Sequence, residues 1–294
     1  MNPQSTNLDS LKLVKYLRRG SAEHKGNAGK VVLIGGAPGM AGALLLAGNA
    51  CLHLGAGWTI LEMLDPASAH ADDSQPELMI RLTSTNPQET LQSTQPDVIA
   101  IGPGLGKSEL ASQYLYEVLS SSIIPLVIDA DAINLISESV ELLACLKKRN
   151  SSFPGFTVIT PHPGEAAHLL KSTTEIVQSK REFAIQQIVE LTQSIVVLKG
   201  RHTLIASPKH SPVKCLAGNP GMGTGGMGDV LTGSIAAIAA QGLHHQIDLW
   251  QATEVAVELH ASAADSLVSK GVGPIGLTPS EVIIEMRSLL NKLL

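Results

Sequence analysis

The sequence predicts an α/β protein with a mostly parallel central sheet buried between helix layers. Three observations carry this. Short runs that are apolar at almost every position recur along the chain, and each is followed by a turn, usually glycine-bearing, and then a helix-length stretch. This strand–turn–helix unit repeats at least five times. Strands with no polar face belong to parallel sheets covered on both sides. The composition agrees, with 44% hydrophobic and 16% charged residues, 27 glycines, and only three Phe, three Tyr and two Trp. That is material for a close-packed aliphatic core with tight turns, and it excludes a disordered chain. No linker or low-complexity segment interrupts the pattern, so residues 1–294 are expected to form a single domain.

In chain order, residues 8–19 carry Leu and Val at helical spacing and predict a short amphipathic helix. Residues 30–34 predict a strand ending at Gly35-Gly36. Residues 41–54 predict a helix rich in small residues, closed by Gly55, with His53 as a surface or satisfied histidine. A strand over 57–64 follows. The polar stretch 65–93 yields only a short strand near 78–82. Strand 96–101 closes on Gly102-Pro103-Gly104-Leu105-Gly106. This departs from G-x-G-x-x-G and has no acidic ribose partner at the usual distance, so a Rossmann dinucleotide site is not supported. Helix 108–121, strand 125–129, helix 137–148 and strand 156–160 come next. Helices 164–170 and 174–192 lead to strand 194–198 and a hairpin-like continuation over 203–207. Helices near 229–241, 248–269 and 279–293 complete the chain, with Thr278 or Ser280 capping the last. Polar groups collect just after strand ends (Gly104, Asp129, Asp131, His162, Lys199), which is where ligands bind in open α/β sheets.

The net charge of −5 and pI of about 6.0 give no general attraction for nucleic acid or anionic membrane. Cys51, Cys145 and Cys215 are widely spaced and odd in number. They form neither a disulfide framework nor a zinc pattern and are expected as buried thiols. With no apolar run of spanning length, a reducing cytoplasm is the expected location.

The stretch Gly218–Gly233 (G-N-P-G-M-G-T-G-G-M-G-D-V-L-T-G) carries the chemistry. Six glycines lie between Gly218 and Gly228 before the run turns apolar. A glycine-dense loop entering a helix gathers backbone N–H groups and a positive dipole end, a site for phosphate. The P-loop pattern with its lysine is absent, and an acid, Asp229, stands at the helix mouth. An acid there suits a group that takes a proton from, or orients, a hydroxyl while the N–H groups stabilise a phosphoryl group in transit. The bland alternative is an ordinary helix N-cap.

Six motifs in order resemble the ADP/ATP-dependent NAD(P)H-hydrate dehydratases, the ribokinase-like carbohydrate-kinase part of the YjeF family. They are G-K-V-V-L-I-G-G (29–36), G-P-G-L-G (102–106), D-A-D-A-I-N (129–134), T-P-H-P-G-E (160–165), L-K-G-R-H-T (198–203) and the glycine stretch 218–233. The resemblance covers about residues 20–290. It implies a ribokinase-like three-layer sandwich and a repair reaction: the hydrates of NADH and NADPH return to NAD(P)H while ADP becomes AMP and phosphate. It implies Asp229 as the base, with Gly225, Gly226 and Gly228 as the anion hole. Ala43, Gly104 or Gly106, His162 and Asp229 would contact the hydrate, and Lys199, Gly200, Arg201, His202, Thr203 and Gly228 the nucleotide. Glu165 would hold Mg²⁺ through water, with ADP or ATP as co-substrate. It further implies a cytoplasmic homo-oligomer, possibly a tetramer, with no nucleic-acid or membrane partner. The chain is short for an additional epimerase domain, so a separate NAD(P)H-hydrate epimerase would be its functional partner. Asp131 and Asn134 face the same crevice and equally suit helix caps. Two other readings stay open: a ribokinase-like kinase of a vitamin-precursor alcohol (hydroxymethylpyrimidine or thiazole type), and a nucleotide-binding regulator without turnover.

Overall fold

The computed structural model describes residues 6–72, 74–120 and 123–294. Among these, ten strands form one sheet. They are β1 (Thr6–Asn7), β2 (Lys30–Gly35), β3 (Trp58–Met63), β4 (Met79–Leu82), β5 (Val98–Ile101), β6 (Leu126–Ile128), β7 (Thr157–Ile159), β8 (Ile195–Leu198), β9 (Leu204–Ser207) and β10 (His210–Lys214). Their spatial order is β1-β10-β9-β8-β7-β6-β5-β2-β3-β4. Pairing is parallel from β4 through β8 and antiparallel for β8–β9 and β9–β10.

Alternation along each strand explains the layers. Val31 and Leu33 of β2, with Val98 and Ala100 of β5, belong to one core cluster. Val32, Ile34, Ile99 and Ile101 belong to another. Successive side chains point to opposite faces, so a strand apolar at every position has to be covered twice. One face is covered by α1 (Ala41–His53) and three later helices, α9 (Met227–His245), α10 (Leu249–Ser269) and α11 (Pro279–Leu293). The other is covered by α2 (Pro87–Thr94), α3 (Glu109–Ser120), α4 (Ala130–Glu138), α5 (Val140–Ser152), α6 (Pro163–Leu169), α7 (Thr174–Ser179) and α8 (Arg181–Thr192). The result is the ribokinase-like α/β sandwich.

The chain leaves β2 in one direction through β3 and β4, then resumes on its other side at β5 and runs outward through β8. The gap between β2 and β5 is therefore a topological switch point, where the loops at strand carboxyl ends diverge and leave a crevice. The loops here are tied together: Gly36 N donates to Pro103 O (3.1 Å) and Ala37 N to Gly104 O (2.6 Å).

Several expectations are corrected. Residues 8–19 contain a 3₁₀ helix, Leu11–Leu17, rather than an α-helix; the Glu258 carboxylate on α10 takes the Ser10 and Leu11 amides (2.6 and 3.3 Å) and fixes its start. The stretch 65–93 hides α2, whose signal is Asn86 accepting from Glu89 N with Pro87 in the first turn. The predicted helix 137–148 is two helices. α4 begins immediately after Asp129, and the break falls at Ser139, whose hydroxyl caps α5 at Leu142 N (3.2 Å). Helix 174–192 likewise divides into α7 and α8 at Lys180. The last residue predicted for helix 108–121 lies outside the described residues, as does Asp73 in the polar stretch. Cys145 is half-buried, while Cys51 and Cys215 are buried as expected. Thr278 is the cap of α11.

α1 and α9 meet at glycine. A Cβ on Gly233 would overlap the Ala47 carbonyl oxygen, and one on Gly48 would meet the Leu61 side chain at 2.8 Å. Gly42, on α1 and exposed, has no atom near its Cβ position. We expect Gly233→Ala to cost about 1–3 kcal/mol through overpacking. Thermal melts should then fall by about 2–4 °C per kcal/mol. Gly42→Ala, a helix-favouring change in open space, should leave the melting temperature unchanged or raise it, by up to about 1 kcal/mol of stability.

Candidate active site

The residues flagged at strand ends converge around one of their own number, a buried carboxylate to which the sequence assigned no role. Asp129 follows β6, is 1% exposed and caps no amide of α4. Its Oδ1 accepts from Lys199 Nζ (2.7 Å) and Thr160 Oγ1 (2.6 Å), and its Oδ2 from Thr232 Oγ1 (2.8 Å). One carboxylate thus joins the ends of β6, β7 and β8 to the second turn of α9. The Lys199 side chain is 18% exposed. Burial acts to lower its pKa, but the negative charges of Asp129, Glu165 and Asp229 outweigh this, so the ammonium is held protonated above its ordinary value.

The glycine stretch delivers α9 onto this pair. Asn219 caps a 3₁₀ turn, Pro220–Gly223, by accepting from Gly221 N. Gly226, at φ 95°, is the N-cap of α9, and no side chain caps the helix. The first-turn amides therefore face outward with the dipole's positive end behind them. Gly228 lies so close to the ion pair that a Cβ there would stand 3.1 Å from Lys199 Nζ and 3.6 Å from an Asp129 oxygen.

Asp229 is the third helical residue, not the cap, so the bland capping reading does not describe it. Burial is the largest influence on its carboxyl. With the nearby charges of Asp129, Asp131 and Glu165, and against the opposing pull of Lys199, it raises the pKa to about 7. A carboxyl poised near neutrality beside free amides and a fixed cation can exchange a proton with a hydroxyl while a phosphoryl group is held alongside.

Ala43 and Gly104 are brought together: a Cβ on Gly104 (φ 57°) would sit 3.3 Å from that of Ala43 and 2.9 Å from Met40 Cβ. Gly106 N donates to Asp131 Oδ2 (2.9 Å), so Asp131 anchors this loop. Asn134 Oδ1 pairs with His168 Nδ1 (3.3 Å). His162 follows β7 with its side chain 55% exposed. Its Nδ1 accepts from the Gly164 and Glu165 amides (3.0 and 3.3 Å), which puts the ring proton on Nε2, 3.1 Å from Glu165 Oε1. Both ring nitrogens are engaged, so the imidazole offers a ligand its flat face and edge.

Glu165 is correspondingly occupied. Its Oε2 accepts from His162 N (2.8 Å) and its Oε1 faces His162 Nε2. Among the described residues no group of three or more His, Cys, Asp or Glu side chains is arranged to hold a metal ion.

Gly200, Arg201, His202 and Thr203 form the β8–β9 turn, with His202 at φ 54° and Thr203 Oγ1 donating to Gly200 O (3.1 Å). Arg181 of α8, which the motifs did not flag, holds this turn by donating to the Leu198 and Lys199 carbonyls (2.9 and 3.2 Å). A cavity of about 650 Å³ opens beside it, lined by Lys180, Arg181, Phe183, Arg201 and His202. None of the expected site residues lines the groove of about 540 Å³ around Tyr116 and Leu142.

The described chain contains no helix long and apolar enough to cross a membrane. A family model described as NAD(P)H-hydrate dehydratase matches residues 31–286. A bifunctional NAD(P)H-hydrate repair enzyme of Vibrio cholerae is 41% identical over 281 residues, covering 93% of this chain and 52% of its own length. The chain thus spans about half the length of the first curated relatives it matches. The ADP-dependent (S)-NAD(P)H-hydrate dehydratase of Neisseria meningitidis is 33% identical, covering 95% of this chain and 90% of its own length. Among solved structures, the Bacillus subtilis ADP/ATP-dependent NAD(P)H-hydrate dehydratase, co-crystallised with ATP/Mg²⁺, superposes with a TM-score of 0.82 at 25% identity. It covers 99% of this chain and 100% of its own length.

Because the Asp229 carboxyl carries a raised pKa, its ionised form is less stable in the folded protein than in the unfolded chain. The penalty begins as pH rises through the ordinary value of 3.8 and is complete above about 7. Asp229→Asn removes it. Melts at pH 8 should show the variant more stable than the parent, with the gain shrinking toward pH 4; a pH-independent difference would contradict the raised pKa.

Proposed function

The chain belongs to the NAD(P)H-hydrate dehydratase family, and we propose from this that it dehydrates the hydrates of NADH and NADPH back to NAD(P)H, converting ADP to AMP and phosphate. The observation that supports it most is Asp229 with a near-neutral pKa at the uncapped mouth of α9, directly above the Lys199–Asp129 pair. A pure nucleotide binder gains nothing from an acid beside phosphates. The presence of Asp229 therefore favours turnover.

The proposed chemistry follows from the leaving group. Hydroxide leaves poorly, so the ring hydroxyl gives its proton to Asp229 while its oxygen attacks the terminal phosphoryl group of ADP, releasing AMP. The phosphate then departs from the ring carbon with push from the ring nitrogen, and a proton leaves the adjacent carbon to restore the double bond. Amides of Gly225, Gly226 and Gly228 would receive the phosphoryl oxygens, each such donor being worth about 2.7–4 kcal/mol. Lys199 would supply a fixed positive charge. Ala43, Gly104, Gly106 and His162 would take the hydrate, with the imidazole face against its flat ring. Gly200, Arg201, His202 and Thr203 would take the nucleotide, beside the cavity next to their turn. Mg²⁺ would arrive on the nucleotide phosphates, keeping its own waters, with Glu165 restricted to a water-mediated contact. No step is derived through it. The setting would be cytoplasmic.

We further propose assembly into a homo-oligomer, possibly a tetramer, through faces such as that of α11, where Ile284 and Leu293 are 46% and 43% exposed. Gel filtration should then give a mass well above one 30.8 kDa chain; elution as a monomer would refute it.

The enzymatic test follows absorbance near 340 nm after adding protein to hydrated NADH with Mg²⁺, with ADP, ATP or no nucleotide. Recovery should need a nucleotide, and Asp229→Ala should lose about 10²–10⁴ in kcat. Since the base must be ionised, kcat/KM should fall below about pH 7 in the parent. Release of a stable phosphorylated alcohol from a vitamin precursor, without hydrate repair, would support the kinase reading instead.

A further inference from the structure

The glycine stretch is held at its entrance by a residue far away in sequence. Asp265 lies on α10, and its two carboxylate oxygens divide their work. Oδ2 accepts from Gly218 N (2.8 Å) and Oδ1 accepts from Asn219 Nδ2 (2.9 Å). The other end of the same carboxamide, Asn219 Oδ1, accepts from Gly221 N (3.0 Å). The chain of contacts continues: Thr224 Oγ1 donates to Gly221 O (3.0 Å), and Met227 N, at the first residue of α9, approaches Thr224 O (3.4 Å). One turn before Asp265 on the same helix face, Ala261 lies under Gly218, where an added Cβ would come within 3.7 Å of it.

We propose that Asp265 is a positioning residue for the phosphoryl-transfer site: through Asn219 it sets the placement of the Gly218–Gly228 loop, and hence of the amides and of Asp229 at the mouth of α9. The reasoning is mechanical. Glycines confer conformational freedom on the loop, and an anion hole works only if its donors are placed before the charge develops. The loop has no β-ladder of its own, so its order has to be imported. α10 is a suitable source. It is a 21-residue helix with thirteen buried residues, packed between α9 and α11. Both donors to Asp265 are uncharged, so the contact is a charge-assisted clamp rather than an ion pair. Of the residues expected to meet the hydrate, Asp229 stands on the clamped side, while Ala43 lies on α1 and Gly104 and His162 sit on loops tied to a neighbouring loop or to α6.

This inference rests on the proposed reaction for its kinetic readout, but the bond geometry supplies a second one. In Asp265→Ala, kcat should fall about 10²-fold, the cost of an active-site displacement of order 1 Å, while KM for the hydrate changes less than about threefold. Asp265→Asn and Asn219→Asp should each be impaired, the first because two N–H donors now face each other and the second because two carboxylates do. The double variant, Asn219→Asp with Asp265→Asn, re-forms every bond with roles exchanged. The carboxylate introduced on the loop accepts from Gly221 N and from the carboxamide introduced on α10, and the oxygen of that carboxamide accepts from Gly218 N. It should recover kcat to within about threefold of the parent. Hydrogen exchange of the Gly218–Gly228 amides, measured on the same proteins without substrate, should be faster in each single variant and return to the parental rate in the double. Parental kcat and exchange in Asp265→Ala, or a double variant no better than its worse single, would overturn the proposal. Should Asp265→Ala fail to fold, the double variant decides alone. Should the parent show no hydrate repair, the exchange data test the clamp independently of the reaction.

Discussion

The site depends on a buried charge pair. Asp129 and Lys199 meet at 2.7 Å with Asp129 almost fully enclosed. Such a pair survives burial only when the remaining lone pairs are also satisfied, and here Thr160 and Thr232 do so from β7's end and α9. Had Lys199 been left alone among apolar strand ends, it would have deprotonated or turned outward. Together they form a rigid electrostatic floor across three adjacent parallel strands, and the glycine at 228 lets the mouth of α9 settle onto it.

The floor also determines what Asp229 can do. Three acids and one ammonium surround a partly buried carboxyl, and the acids prevail with burial, so its pKa sits near 7. A carboxylate at its ordinary pKa would be too weak a base for an alcohol; one raised further would be protonated in the cell. The uncapped first turn of α9 offers a field that suits phosphoryl oxygens. The proposed proton acceptor and the proposed phosphate site therefore lie within one helical turn, with the tethered Lys199 ammonium close to both Gly228 and Asp129.

How much of this was legible follows from the kind of signal each residue leaves. The layered fold was readable because residues such as Val31–Ile34 are apolar at every position, which only a doubly covered strand requires. α2 was missed because its signal is a single capping position, Asn86, inside a polar stretch, and α4 because it starts directly after β6 with no side-chain cap to mark it. β1, at the sheet's edge, and β10 beside it are too short and polar to show a period. At the site, Asp229, His162 and Lys199 stood out through dense local motifs. Asp129 was visible only as one of several acids after a strand, and Thr160, Thr232, Arg181 and Asp265 not at all. Their partners lie 31, 103, 18 and 47 residues away, and contacts of that separation leave no local periodicity.

Several residues behind the site share one task, which is to hold a residue expected to act on a ligand: Asp131 holds Gly106, Arg181 holds the Lys199 carbonyl, and Glu165 holds His162. The acting groups sit on loops, turns and helix N-termini at the sheet's carboxyl edge, where a crevice opens. Loops are also the least self-supporting parts of a chain. A site built from several such loops therefore needs fixed supports, drawn from whichever strand or helix lies behind each. The sheet supplies Asp129, while α4, α6 and α8 supply Asp131, Glu165 and Arg181. The two groups of residues are distributed by mechanical role: freedom where the ligand must enter, rigid elements where the loops must be held.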